Sequence, residues 1–73
     1  MNNKNLGIVI EFKKLNKLEE ETAEQALDRA LIQIKENRYS EEMREKGFNE
    51  IIELGIVFDG KRVWVREQPE KSD

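Results

Sequence analysis

Six of the eight residues from Ile51 to Phe58 are apolar, and Asp59-Gly60 follows them directly. A near-continuous apolar run of this length predicts an interior strand covered on both faces. Asp-Gly at its end predicts a tight hairpin, with Val63-Trp64-Val65 as the returning strand. Whatever else the chain does, it has to build a sheet around this pair.

Upstream, Ile8, Val9, Ile10 and Phe12 are β-branched or aromatic, in a run from Leu6 to Phe12 too short for a helix. A first strand is predicted there. Asn16 with Glu19 three residues on has the form of a helix N-cap. Behind it Ala23, Ala26, Leu27, Ala30, Leu31 and Ile34 recur at helical spacing, which predicts one apolar stripe on a helix of about five turns. Glu19, Glu20 and Glu21 would then fill its first turn and complement the helix dipole. Ser40 before Glu41-Glu42, and Gly47 after Lys46, bracket a second helix of about two turns.

The element order is therefore β-α-α-β-β, an α/β fold. Two strands joined through such a helix are expected to lie parallel, with a right-handed crossover. The expected architecture is a three-stranded mixed sheet with one helical layer. It occupies residues 1–66 as a single domain, and residues 67–73, with Pro69, form a flexible polar tail. The interior strand asks for cover on two faces, and the chain offers one long helix. Something else has to cover the other face or edge.

Composition narrows the chemistry. There is no Cys and no His among the 73 residues, which excludes disulfides, Cys/His zinc sites, and thiol or histidine catalysis. At this length a single core supplies roughly 3–5 kcal/mol without a staple. The chain is then an economical fold, a partner-dependent fold, or a piece of something larger. A net charge of −3 argues against a general nucleic-acid or membrane-surface binder, leaving room only for a local basic patch. No apolar run exceeds three residues, so no transmembrane helix is expected, and Met1 to Asn5 lacks the apolar stretch of a signal peptide. The expected compartment is cytoplasmic.

Glu11 and Lys13 lie within the first strand. Strand alternation sets Ile8, Ile10 and Phe12 on one face and Val9, Glu11 and Lys13 on the other, with the two charges about 7 Å apart. Glu-x-Lys is a common pattern in a chain with 13 Glu and 8 Lys. Its information is its place, at the carboxyl end of an apolar strand just before a crossover helix, where open α/β sheets build their sites. Chemically the pair suits metal-assisted hydrolysis. Glu11 offers Mg²⁺ a hard oxygen and the Phe12 carbonyl a second. Lys13 would orient a water or offset developing negative charge. The alternative is an edge strand whose solvent face carries Glu and Lys to discourage further pairing.

The stretch Gly7-Ile8-Val9-Ile10-Glu11-Phe12-Lys13-Lys14, followed by an Ala-rich amphipathic helix ending Gln33-Ile34-Lys35-Glu36-Asn37-Arg38-Tyr39, resembles the PD-(D/E)XK nuclease superfamily. The resemblance is nearest to the nuclease-like C-terminal domain of bacterial proteins that carry an AAA-ATPase-like domain, and it runs from about Gly7 to Val65. It implies part of a restriction-endonuclease-like core and Mg²⁺-dependent hydrolysis of DNA. Glu11, with the Phe12 carbonyl, is the implied metal ligand, Lys13 the implied catalytic lysine, and Gln33 a helix residue near the site. Tyr39 is an implied accessory, near the site or capping the core. Lys14 and Lys17 stand where phosphate contacts or solvated charges belong.

One part of the family pattern is absent. The family carries an Asp on a strand upstream of the Glu, and the ten residues before Glu11 contain no acidic side chain. The family's first helix and first two strands are also not found. The chain is therefore expected to be a C-terminal fragment of such a domain, inactive by itself, with Mg²⁺ binding weak or absent and DNA the partner of a full-length relative. The other functional class is a non-catalytic interaction module that self-associates through the first strand, as a homo-oligomer or with a missing N-terminal half. Trp64, alternating with Arg62 and Arg66, either stacks on a base or packs across the strands against Phe58 or its neighbours.

Overall fold

In a computed structural model that describes residues 5–69, β1 (Leu6–Lys14) is followed by a 3₁₀ turn at Lys17–Glu19, then α1 (Ala23–Glu36), α2 (Tyr39–Glu45), β2 (Glu50–Asp59) and β3 (Arg62–Pro69). β1 and β2 pair parallel, β2 and β3 antiparallel, and the sheet order is β1-β2-β3. The fold is α/β with the expected three-stranded mixed sheet, and α1 and α2 form the connection that a parallel pair requires. The hairpin turns one residue later than Asp59-Gly60. Asp59 stays in the ladder opposite Arg62, and Gly60-Lys61 makes the loop, with Gly60 at a φ of 55°. Residues 67–69, expected in the tail, continue β3, while 70–73 and 1–4 lie outside the described residues.

The long helix starts later than its first capping signal. Thr22, not Asn16, is the N-cap, and the Thr22/Gln25 side chains form a reciprocal capping box. Glu20 takes a left-handed φ of 55°, which stops the first turn from running on into the helix. α1 therefore has 14 residues, about four turns rather than five. Glu19, Glu20 and Glu21 all fall outside it, leaving Glu24 as the acidic residue of its first turn, and Glu21 turns inward. α2 likewise begins from Arg38 at a φ of 59°, not from Ser40, whose hydroxyl is buried and donates to Glu53. Gly47 ends it as expected, with a φ of 102°.

One layer holds the core. Ala26, Leu27, Ala30, Leu31 and Ile34 of α1 are buried against Val9, Ile51 and Val57 of the sheet. α1 comes close because β2 carries Gly55 at the crossing, where a Cβ would stand 3.3 Å from the Ala30 Cβ. Trp64 faces the same side and packs on the Ala26, Leu27 and Val57 cluster, as the packing reading of that residue requires.

The other face of the sheet has no layer on it among the described residues. Ile8, Ile10, Phe12, Phe58, Val63 and Val65 are all exposed there. The two-sided cover expected for β2 is met on one side only. No helix among the described residues is long and apolar enough to cross a membrane.

Candidate active site

β1 presents Val9, Glu11 and Lys13 to the helix side and Leu6, Ile8, Ile10 and Phe12 to the open side. The reading of Glu11 and Lys13 as decoration of a solvent face is thereby overturned: both are half-buried, and both border the helix. Glu11 stands opposite Gly55 and Lys13 opposite Val57 in the parallel register. The side-chain-free Gly55 lets α1 sit low over β2, so the charged end of β1 is left facing a cleft rather than the core.

That cleft measures about 530 Å³ and lies between the end of β1 and α1. Glu11, Lys13, Lys14, Arg29, Gln33 and Glu36 line it. Five residues named from sequence, Glu11, Phe12, Lys13, Lys14 and Gln33, thus border one cleft. Tyr39 does not border it; it opens α2 and is exposed. Lys14 also borders a neighbouring hollow of about 650 Å³ beside the β2–β3 turn. Lys17 lies there too, but its ammonium is 2.9 Å from Asp59.

Lys13 is held from behind. Its Nζ lies 3.9 Å from Oε2 of Glu21, whose side chain is 3% exposed, and Arg29 reaches the same oxygen at 3.3 Å. The Asn16 backbone N–H donates to the other Glu21 oxygen at 3.1 Å. A carboxylate with so little water around it needs such partners. Sequence reasoning passed over Glu21 and Arg29, because three successive Glu residues carry no signal that singles out the third.

It also passed over Glu53, the one charge within the apolar run of β2. Glu53 is fully buried, accepts a 2.7 Å hydrogen bond from Ser40 Oγ, and lies 3.5 Å from Lys35 Nζ. Its parity within the strand, shared with Ile51 and Val57, was the available signal. Ser40 and Lys35 tie α2 and the end of α1 to the sheet through this one side chain. Its setting is structural, away from the cleft.

The implied Mg²⁺ would need several hard oxygen donors around one point. Among the described residues there is no group of three or more His, Cys, Asp or Glu placed to hold a metal. Glu11 and the Phe12 carbonyl are two hard donors, and two donors do not make a resident Mg²⁺ site. Among the described residues, Glu11 and the Phe12 carbonyl would hold the ion weakly at most and not as a resident.

A strand–crossover–strand unit with a carboxylate and a lysine at the carboxyl end of its first strand, over a cleft shared with a helix glutamine, has the form of a nuclease-like α/β fold. Residues 1–68 match the family model of the PD-(D/E)XK nuclease superfamily, and the chain belongs to that superfamily. No curated protein and no solved structure matches it.

Proposed function

We propose that the chain carries the Glu-x-Lys half of a DNA-hydrolysing site and is inactive by itself. In this reading it corresponds to the C-terminal part of the nuclease-like domain of bacterial AAA-ATPase-like proteins, working in the cytoplasm. The observation that supports it most is the convergence of Glu11, Lys13 and Gln33 on one cleft. Lys13 offers a positive charge to a phosphodiester and Glu11 a carboxylate oxygen, while Glu21 fixes the direction of Lys13. A second carboxylate is needed to complete the site. β1 stands at the edge of the sheet, so a strand added there would bring one beside Glu11. Mg²⁺ belongs to that completed site.

A second reading, a non-catalytic module that self-associates through β1, draws on the same free edge. Paramagnetic broadening by Mn²⁺ in the labelled chain separates the two. The half-site reading expects broadening centred on the amides of residues 11–13, lost in Glu11→Gln, and no cleavage of supercoiled plasmid. Broadening that ignores Glu11→Gln would overturn the half-site. Plasmid cleavage that Glu11→Gln abolishes would overturn the claim of inactivity.

A further inference from the structure

Neither the Glu-x-Lys pattern nor the helix pattern through Gln33 names Arg29, yet Arg29 stands on the cleft. It lies one turn before Gln33 on α1, with Glu36 beyond, and these three residues line the helix wall. α1 runs back against β1. Lys35, near its end, reaches Glu53, whose strand partner is Val9, while Arg29 and Lys13 share Glu21. The cleft is therefore polarised along its length. Lys13 and Arg29 lie at the carboxyl end of β1, and Glu36 lies toward the other end.

Glu21 sets the spacing of the two cations. Its Oε2 is 3.9 Å from Lys13 Nζ and 3.3 Å from Arg29 Nη1, so the two nitrogens are held close together. Like charges at that range repel, and the carboxylate between them offsets the repulsion. Yet Oε2 is buried and accepts no hydrogen bond among the described residues. A guanidinium present only to neutralise Glu21 would lie buried on it with a short, well-aligned bond. Arg29 instead keeps 63% of its side chain exposed, with a fork of N–H donors that Oε2 does not use.

We propose that Arg29 is a phosphate-binding residue, paired with Lys13 through Glu21 so that the two cations take one backbone phosphate of a DNA strand. This rests on the reading of the cleft as half of a DNA-hydrolysing site. A backbone phosphate offers two charged oxygens, each suited to a charge-assisted bond of about 2.7–2.9 Å. Donors already held side by side meet both oxygens without the cost of being brought together. Glu36 disfavours a phosphate at the other end, so the strand is taken at the Lys13 end. The pair is the local basic patch that a net charge of −3 still allows.

A short labelled DNA duplex, titrated in EDTA at several salt concentrations, tests this. Wild-type chain is expected to bind at low salt. Arg29→Gln is expected to raise Kd about tenfold and to flatten the slope of log affinity against log salt by about 0.9, one phosphate contact. Arg29→Lys keeps the charge and is expected to keep the slope. Lys46→Gln makes the same charge change beyond α2, at the opposite end of the sheet, and is expected to leave the slope alone. Trp64 packs on the core, so its fluorescence, with far-ultraviolet circular dichroism, reports that each variant is folded. In the wild type, DNA is expected to move the Arg29 Nε–H signal, a readout that needs no variant. Absence of binding at low salt, an unmoved Arg29 signal, or a slope that Arg29→Gln leaves intact or Lys46→Gln flattens equally would overturn the proposal. An Arg29 signal that answers inorganic phosphate but not DNA would overturn DNA as the source of the phosphate. No outcome depends on metal or on Glu11, so this contact and the metal half-site fail separately.

Discussion

The two faces of this sheet invert the usual division of labour. The face under α1 is packed, yet it holds the charges Glu11, Lys13 and Glu53; the face toward solvent carries apolar side chains over all three strands. An antiparallel sheet with one solvated face normally alternates apolar inward and polar outward. Here the inward charges divide further. Glu53 lies in the core, held by Ser40 and Lys35. Glu11 and Lys13 lie where the core gives way to a cleft. A buried charge is thus no mark of function by itself. The distinguishing feature is whether it borders space that another molecule can enter.

The difference between the faces has a measurable size. Ile34 is fully buried beneath the sheet, and Ile34→Ala is expected to cost about 2–5 kcal/mol, enough to unfold a chain with so small a core. Phe12→Ala on the open face, measured in urea at dilutions where the chain is monomeric, is expected to cost less than about 1 kcal/mol. Equal losses would mean that the open face is covered in the monomer.

Next in size is Glu53→Gln, which keeps the shape and a hydrogen-bond acceptor for Ser40 but removes the charge facing Lys35. A loss of about 1.5–3 kcal/mol is expected from the urea midpoint. A neutral or stabilising effect would show that desolvation already outweighs the pairing. Glu21→Gln, at the mouth of the cleft, is expected to cost least, about 1 kcal/mol or a fall of about 4–8 °C in Tm. It should also move the amide signals of Lys13 and Arg29 while leaving those of Val63 and Val65 unchanged. Signals that move only on the open face would remove Glu21 from its positioning role.

Much of this architecture follows from local pattern. The parity of Ile8 to Lys13, the stripe from Ala23 to Ile34 and the Asp59-Gly60 signal are enough to place every strand and the long helix, because periodicity and turn chemistry act over a few residues. Boundaries between competing signals are not settled that way. Asn16/Glu19 and Thr22/Gln25 both fit a cap, and the left-handed Glu20 decides for the second. The support behind Lys13 is less visible still. Glu21 lies in the loop before α1 and Arg29 eight residues on within it, and they meet Lys13 only once the sheet and helix have packed. The apolar run of β2 predicts cover on a second face, but nothing in that run specifies what supplies it.

The central claim is that Glu11 and Lys13 share one cleft on the helix side as half of a metal-assisted site. A crystal structure of the chain soaked in Mn²⁺, read by anomalous scattering, tests it most directly. The expected result is a partially occupied peak at the Glu11 carboxylate, in the cleft that Lys13 and Gln33 border. Glu11 and Lys13 on opposite sides of the sheet, or manganese bound at other carboxylates and absent from Glu11, would contradict it.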